Sequence, residues 1–225
     1  MADQPGARWH PSPNRGPRRD GLMPSLIVLH YTAMESAAAA LERLCDPLAE
    51  VSAHYLIGGD GTLWQMVRED ARAWHAGAGE WRGQDDINSR SIGIELDNTG
   101  SHPFSAPQLE ALEALLADIM ARWDIASAGV IGHSCMAPGR KSDPGPRFDW
   151  LRLERQGLAA RPALQQPVAP GDAAAFRKAA HAAGFTASAD DGALLAAVRL
   201  RCRPWGRGPL VAADFASLHC PAQHS

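Results

Sequence analysis

Short apolar runs recur through the first two thirds of the chain, and they predict β-strands. Residues 25–31 (SLIVLHY) form a continuous run rich in β-forming residues, as expected for a central strand covered on both faces. Residues 54–67 (HYLIGGDGTLWQMV) are two short runs separated by GGDG, a pattern typical of a hairpin. Residues 91–96 (SIGIEL) and 129–134 (GVIGHS) predict two further strands.

Two segments between these strands have the periodicity of helices. Residues 36–48 (SAAAALERLCDPL) predict a helix with Ser36 as its N-cap. In residues 105–123 (SAPQLEALEALLADIMARW), Ser105 and Gln108 match a capping box. The apolar residues of this second segment keep helical spacing: Leu109, Leu112, Leu116, Ile119 and Trp123. Because strands and helices interleave, we predict an α/β fold with a mixed central β-sheet flanked by helices.

The pattern changes after Trp150. A proline-rich stretch without a strand pattern predicts a linker over residues 155–170. Helical patterns separated by Gly and Pro then follow near residues 172–183, 190–202 and 210–219. We therefore expect a first domain over 1–154, with an N-terminal arm over about 1–24, and a small C-terminal helical domain over 171–225.

Composition and charge restrict the class of protein. The chain has 225 residues, a formal net charge of −3 and 21% charged residues, so no overall basic field indicates nucleic-acid binding. The polar, Arg- and Pro-rich residues 1–21 lack the apolar stretch of roughly 7–15 residues that a secretory signal needs. No run approaches the roughly 20 apolar residues of a membrane span. We expect a cytoplasmic protein that binds neither membrane nor nucleic acid.

The four cysteines are Cys45, Cys135, Cys202 and Cys220, and no two of them form a CxxC pair. This spacing favours free buried thiols. A Cys202–Cys220 disulfide is the alternative in an oxidising compartment.

A candidate metal site combines residues that are distant in the sequence. His30 and His133 each close a predicted strand, and ligands gather outside the carboxyl ends of strands. Asp143 follows His133 by ten positions in a loop rich in Gly and Pro. Two imidazoles and a carboxylate with one open position suit a catalytic zinc site. From the pattern alone, the favoured alternative is that His30 is a hydrogen-bonded core histidine and Asp143 a turn residue.

Glu95 and Lys141 are candidates for the chemistry at such a site. Glu95 alternates with Ile94 and Leu96, so it should face away from the core side of its strand. Beneath a metal it could take a proton from the attacking water, and Lys141 could stabilise the developing oxyanion. The alternatives are a solvated strand residue and a surface lysine beside Arg140. The chain has no GxSxG, Walker or HExxH motif.

Further polar and aromatic residues could line the same cleft. Trp74 and His75 lie in WHAG, and Asn88 precedes the strand that carries Glu95. Each could equally be structural, as a packed aromatic, a capped turn or a loop polar group.

Several motifs around these residues follow the order of one known family. They are SPNRGPR (12–18), HYTA (30–33), SAHYLI (52–57), DG (60–61), AWHAG (73–77), IN–SIGIEL (87–96) and GHS…APGRKSDPGPRFDW (132–150). Over about residues 12–152 the chain resembles the zinc-dependent N-acetylmuramoyl-L-alanine amidases of the AmpD/AmiD type, within the peptidoglycan-recognition amidase fold. Some phage relatives have a tyrosine and a cysteine where this chain has Ala53 and Asp143, which places it in the branch with an acidic third ligand.

The resemblance implies a site and a reaction. One Zn²⁺ per chain would be bound by His30, His133 and Asp143, with Glu95 as the catalytic acid/base and Lys141 stabilising the transition state. The predicted substrate-binding residues are His54, Trp74, His75, Asn88 and Arg140. The implied reaction is hydrolysis of the amide between the lactyl group of N-acetylmuramic acid, in its 1,6-anhydro form, and L-alanine of the stem peptide, during peptidoglycan recycling or turnover.

The resemblance also leaves alternatives open. A non-catalytic peptidoglycan recognition protein and a lytic amidase that acts on intact cell wall are the two rival functions. The segment 171–221 resembles a three-helix peptidoglycan-binding module, or it is a helical extension that packs on the catalytic domain. The expected partners are muropeptides or peptidoglycan, and we expect a monomer.

Overall fold

The computed structural model describes residues 2–162 and 170–218. The strands are β1 (Arg8–Trp9), β2 (Arg15–Pro17), β3 (Leu26–Tyr31), β4 (Tyr55–Ile57), β5 (Leu63–Gln65), β6 (Ala71–Ala73), β7 (Ser91–Leu96) and β8 (Val130–Gly132). The helices are α1 (Ala37–Cys45), α2 (Ile87–Arg90), α3 (Ala106–Trp123), α4 (His133–Met136), α5 (Trp150–Arg155), α6 (Ala173–Ala183), α7 (Asp191–Cys202) and α8 (Ala212–Ala216).

Six strands form the central sheet, in the order β1-β5-β4-β7-β3-β8. Strand β3 pairs in parallel with β7 and β8, and β4 pairs in parallel with β7 but antiparallel with β5. Strands β2 and β6 form a separate antiparallel pair. The predicted mixed sheet flanked by helices is therefore confirmed. The parallel strands end at one edge, and His30 lies directly opposite Glu95 in the β3–β7 register.

The two faces of the sheet carry different partners, because side chains alternate along each strand. On one face, Ile27 and Ile94 pack against the apolar stripe of α3, including Leu112 and Leu116. The opposite face carries Val28, which belongs to a second apolar cluster. His30 and Glu95 lie on this second face, near the carboxyl ends of their strands. The alternation thus removes both side chains from the α3 core.

Helix α3 begins as predicted, although its capping differs from the expected box. The Ser105 hydroxyl accepts a hydrogen bond from the Gln108 backbone N–H at 3.3 Å. The Gln108 side-chain amide donates to the carbonyls of Ile57 and Asp97, at 2.8 and 3.1 Å. The expected reciprocal bond to Ser105 is therefore replaced, because the amide satisfies backbone groups at the ends of β4 and β7.

A buried carboxylate ties β4 to α3. Glu69 accepts hydrogen bonds from the Tyr55 hydroxyl at 2.6 Å, from the Arg122 guanidinium at 2.7 and 3.0 Å, and from the Trp123 indole at 2.6 Å. Trp123, predicted as part of the apolar stripe, therefore also acts as a hydrogen-bond donor.

The three C-terminal helices pack on the sheet face that carries Val28. Apolar side chains of α6–α8 share one cluster with that face: Phe176, Ala179, Leu194, Val198 and Phe215. The guanidinium of Arg201 on α7 donates to Glu154 at 2.5 Å and to the Ala160 carbonyl at 2.7 Å. It also lies 4.1 Å from the centre of the Trp150 ring. Apolar burial and one buried arginine thus join these helices to the rest of the chain.

Three predictions fall partly outside the described residues: the linker, the alternative disulfide and the C-terminal helical domain over 171–225, whose residues 219–225 are not described. Residues 163–169 of the expected linker and Cys220 of the alternative disulfide are not described either. The three cysteines within the described part of the chain, Cys45, Cys135 and Cys202, are free thiols. Among the described helices, none combines the length and the apolar character that a membrane span requires.

Candidate metal centre and active-site cleft

A cleft of about 380 Å³ opens at the carboxyl ends of β3 and β7. Its floor includes His30 and Glu95, and one wall is formed by α1. The loop after α4 forms another part of the lining, through Arg140, Lys141 and Asp143. Two strand ends, one helix and one loop thus bring acidic, basic and imidazole groups to one concave surface.

Three candidate ligand atoms converge at one point of this cleft. The Nδ1 atoms of His30 and His133 are 2.9 Å apart, and Asp143 Oδ2 lies 2.8 Å from the first and 3.0 Å from the second. All three side chains are buried. Tetrahedral zinc sites, with bonds of about 2.0–2.1 Å, separate their ligand atoms by about 3.3 Å. The cluster would need to open by only a few tenths of an ångström to accept such an ion.

Hydrogen bonding indicates that this cluster suits a cation. His133 Nε2 lies 2.8 Å from the Ala76 carbonyl oxygen, which can only accept, and 3.3 Å from Arg140 Nη2, which itself donates to that carbonyl at 2.6 Å. The shorter contact places the imidazole proton on Nε2. His133 Nδ1 then points a lone pair at the Asp143 carboxylate. Two acceptors at 3.0 Å repel unless a positive charge lies between them. The donor set of two imidazoles and one carboxylate also fits zinc.

The loop that carries Asp143 folds back because Gly132 has no side chain. A Cβ on Gly132 would lie 2.7 Å from Cδ of Pro144. The Asp143 carbonyl accepts a hydrogen bond from the Ser134 N–H at 3.0 Å, which holds the loop against α4. The sequence predicts that His133 closes a strand, but in the structure β8 ends at Gly132 and His133 is the first residue of α4.

Glu95 has an environment that raises its pKa. Its Oε2 atom is buried and has no hydrogen-bond partner among the described residues. Burial, and then the nearby charge of Asp143, raise the pKa of Glu95 to about 8, while the charge of Lys141 acts in the opposite direction. A carboxyl with this pKa can exchange protons near neutral pH.

The imidazole of His30 is uncharged at neutral pH. Burial, and then the nearby His133, lower the pKa of His30 to about 4. A neutral imidazole offers a free lone pair, which is the form that binds a metal.

Comparison with known proteins identifies the family. The family model described as N-acetylmuramoyl-L-alanine amidase (Amidase_2) matches residues 20–146, more than half of the chain. The chain belongs to this amidase family.

Individual relatives indicate which type of amidase within the family this chain resembles. AmiD of Escherichia coli K12 is 41% identical over 157 residues, which are 63% of this chain and 56% of AmiD. AmpD of Enterobacter cloacae is 37% identical over 164 residues, which are 65% of this chain and 88% of AmpD. A solved structure shows E. coli AmiD in complex with the substrate anhydro-N-acetylmuramic acid-L-Ala-D-γ-Glu-L-Lys. The structure of this chain matches it with a TM-score of 0.77 and 32% sequence identity, and the match covers 88% of this chain and 89% of AmiD in that structure. The chain is of the AmpD/AmiD type within this family.

The structure brings eight of the ten predicted site residues of this amidase to the cleft. They are His30, Trp74, His75, Glu95, His133, Arg140, Lys141 and Asp143. Lys141 is exposed at the rim, and Arg140 donates to the Ala76 carbonyl at 2.6 Å. Arg140 therefore supports the cleft wall as well as lining it.

The structure does not bring His54 and Asn88, the other two predicted site residues, to the lining of the cleft. His54 is fully buried; its Nδ1 accepts from the Gly93 N–H at 2.9 Å, and its Nε2 faces Arg18 and the Ala71 carbonyl. Burial, and then the charge of Arg18, lower the pKa of His54 to about 3. The Asn88 Oδ1 accepts from two backbone N–H groups of the cleft wall. Both side chains support the site from behind.

Sequence reasoning missed several residues of the cleft. Met34, Arg43 and Leu44 contribute from α1 and the turn before it, and Ser142 contributes from the loop. Ser142 Oγ lies 3.1 Å from the Tyr31 hydroxyl. The helical pattern of α1 predicted a helix, but only the packing of α1 beside β4 shows which of its residues face the cleft.

Proposed function

We propose that this chain is a zinc-dependent amidase that hydrolyses the bond between the lactyl group of N-acetylmuramic acid and L-alanine of the stem peptide. The observation that carries the proposal is the convergence of His30, His133 and Asp143 within one cleft that also holds Glu95. The substrate class follows from AmiD, whose solved complex holds an anhydro-N-acetylmuramic acid peptide. One ion per chain would be held by the three converging side chains.

The roles of the residues follow from their protonation. When bound, zinc supplies Lewis-acid chemistry, which polarises an amide carbonyl and lowers the pKa of water. Glu95 takes the proton of the attacking water and returns it to the leaving alanine nitrogen. Lys141 donates to the oxygen that becomes negative as the amide carbon turns tetrahedral.

The experiment that tests the proposal measures release of the stem peptide from a purified anhydro-muropeptide, with and without a metal chelator. We expect cleavage that the chelator abolishes and added Zn²⁺ restores. Glu95→Ala should bind zinc but lose cleavage, whereas Glu113→Ala, a change on α3 outside the lining of the cleft, should retain it. Cleavage that resists the chelator, or full activity in Glu95→Ala, would contradict the mechanism.

The biological setting is part of the same proposal. We place the enzyme in peptidoglycan recycling or turnover in the cytoplasm, acting as a monomer on 1,6-anhydro-muropeptides. Parallel assays on anhydro-muropeptide and on intact sacculi test this. A strong preference for the soluble fragment supports recycling. Equal or faster cleavage of sacculi would favour a lytic amidase, and zinc binding without turnover on either would favour a recognition protein.

For the C-terminal helical domain over 171–225, we propose binding to peptidoglycan. Truncation is a poor test, because α6–α8 share an apolar cluster with the sheet and their removal would expose it. Trp205, which is 72% exposed beyond the end of α7, is the better target. We expect Trp205→Ala in the full chain to weaken binding to sacculi and to leave cleavage of a small muropeptide unchanged. Unaltered binding would indicate that Trp205 has no part in it.

A further inference from the structure

One short segment of the cleft wall contacts both histidines of the candidate metal site on the sides remote from the metal. This segment is residues 74–78, between β6 and α2. Its Ala76 carbonyl oxygen lies 2.8 Å from His133 Nε2. Its His75 side chain places Nδ1 3.0 Å from His30 Nε2. The nitrogen of each ligand that faces away from the cluster therefore has a partner from the same segment.

A chain of hydrogen bonds sets the direction of the contact between His75 and His30. The Ser91 hydroxyl donates its only proton to the Ile87 carbonyl at 2.5 Å. Ser91 Oγ must therefore accept at its 3.1 Å contact with His75 Nε2, which places the His75 proton on Nε2. His75 Nδ1 is left as an acceptor, so His30 must carry its proton on Nε2.

The consequence is a fixed tautomer at His30. With its proton on Nε2, His30 presents the lone pair of Nδ1 to Asp143 and His133. All three atoms of the cluster are then acceptors, an arrangement that a cation stabilises. If the direction of these hydrogen bonds were reversed, His30 would carry its proton on Nδ1, where it would block metal binding.

Two further features hold His75 in place. The Asn88 Oδ1 accepts from the backbone N–H groups of His75 and Ala76, at 3.0 and 2.8 Å. Gly93 on β7 leaves room for the imidazole, because a Cβ at this position would lie 2.4 Å from Cγ of His75. The His75 side chain is 9% exposed, so little of it is available to contact a substrate.

We propose that His75 is a positioning residue which, through Ser91, fixes His30 in its metal-binding tautomer and thereby sets the affinity of the site for zinc. The inference rests on the metal site of the proposed function. Partners that orient a ligating histidine contribute about 10- to 100-fold in metal affinity in other proteins. His75, Ser91 and Asn88 would then act on the metal rather than on the muropeptide.

The test measures the zinc dissociation constant of the full chain by competition with a chromophoric chelator. His75→Phe keeps an aromatic ring but removes both nitrogens, and Ser91→Ala removes the end of the chain of hydrogen bonds. We expect each to weaken zinc binding by about 10- to 100-fold. His75→Asn places an oxygen near the former Nδ1 and should bind zinc within about threefold of the wild type. Ser89→Ala, a buried serine nearby that contacts Arg19 and Arg72, is the matched control and should be unchanged.

Two readouts separate positioning from a general loss of structure. Calorimetry of the metal-free variants should show folded proteins with a melting temperature near that of the wild type. Imidazole ¹⁵N chemical shifts of the metal-free protein should show His30 with its proton on Nε2, and Ser91→Ala should increase the Nδ1–H tautomer.

Each result has a distinct consequence. If the wild type binds zinc and Ser91→Ala and His75→Phe bind it with the same affinity, this inference is overturned and the proposed function stays intact. Equal losses in His75→Asn and His75→Phe would also overturn it, since the acceptor atom would then be irrelevant. A wild-type chain that binds no zinc would instead overturn the metal site of the proposed function.

Discussion

Replacing Glu95 by Gln should stabilise the metal-free protein at alkaline pH. The pKa of Glu95 is raised from 4.5 to about 8, first by burial and then by the charge of Asp143. Between about pH 4.5 and pH 8, the folded protein keeps a proton that the unfolded chain has released. The free energy of unfolding therefore falls as the pH rises through this window, and it stays low above it. Gln has nearly the same shape as Glu and cannot ionise, so the free energy of unfolding of Glu95→Gln should not fall in this way.

The size of the effect follows from the shift in pKa. The rise in the pKa of Glu95 from 4.5 to about 8 corresponds to about 5 kcal/mol in the free energy of unfolding as an upper limit. Because the Glu95 side chain is partly accessible and charges in proteins experience an effective dielectric constant of about 20, we expect a measured gain of about 2 kcal/mol. It should be absent near pH 4 and complete above pH 8.

Urea unfolding in the presence of a chelator, at pH 4, 7 and 9, measures this gain. Glu113→Gln is a useful control, because a hydrogen bond from Arg152 lowers the pKa of Glu113 and the sign of its pH dependence is reversed. Stability curves for wild type and Glu95→Gln that run parallel from pH 4 to pH 9 would refute the reasoning, since they would mean that Glu95 ionises normally in the folded protein.

Three further substitutions test other parts of the structure. Glu69→Ala removes the acceptor of three donors on β4 and α3, of which the Tyr55 hydroxyl is buried. We expect a loss of about 2 kcal/mol in urea unfolding, and a loss below 1 kcal/mol would show that water replaces the carboxylate. Arg201→Met should lower the free energy of unfolding by about 2 kcal/mol in the same assay. The loss is smaller than for a buried carboxylate left without any partner, because Glu154 keeps its ion pair with Arg161. An unchanged stability would show that apolar burial alone holds α7. Lys141→Ala should lower kcat about 100-fold with little change in KM, whereas Lys178→Ala on the exposed face of α6 should change neither; a rise in KM alone would make Lys141 a binding residue.

The sequence predicted the longest strand and the longest helix well, because their periodicities are strong, whereas the short strands β1, β2 and β6 were not predicted. The apolar run at 25–31 became β3, and the stripe at 105–123 became α3, each within one residue at either end. The order of strands in the sheet could not be read from these patterns. It depends on pairings between β3, β7 and β8, which are separated by long stretches of chain.

Prediction of the site depended on motifs more than on physical pattern. Alternation along β7 does place Glu95 on the face opposite Ile94, so that part of the reasoning was physical. The convergence of His30 and His133 was not readable from their spacing, since 103 positions separate them. Only the pairing of β3 with β8 brings them together.

Two predicted site residues that the structure does not bring to the cleft show what motif reasoning could not supply. His54 and Asn88 lie in motifs next to the cleft, and proximity in sequence suggested contact with substrate. The direction of a side chain depends on which backbone groups require a partner. Asn88 faces two N–H groups of the segment 74–78, and His54 faces the N–H of Gly93. Buried backbone donors of this kind are costly when unpaired, so they recruit nearby polar side chains.

The same physical argument connects the fold to the chemistry. The wall segment 74–78 is irregular, so its backbone groups are not used in a sheet or helix and need other partners. Asn88 takes two of its N–H groups, and His133 and Arg140 share the Ala76 carbonyl. The bond that satisfies this carbonyl also sets the tautomer of His133. The irregular backbone of segment 74–78 therefore supplies, through the Ala76 carbonyl, the fixed hydrogen-bond acceptor that holds the His133 imidazole in its metal-binding form.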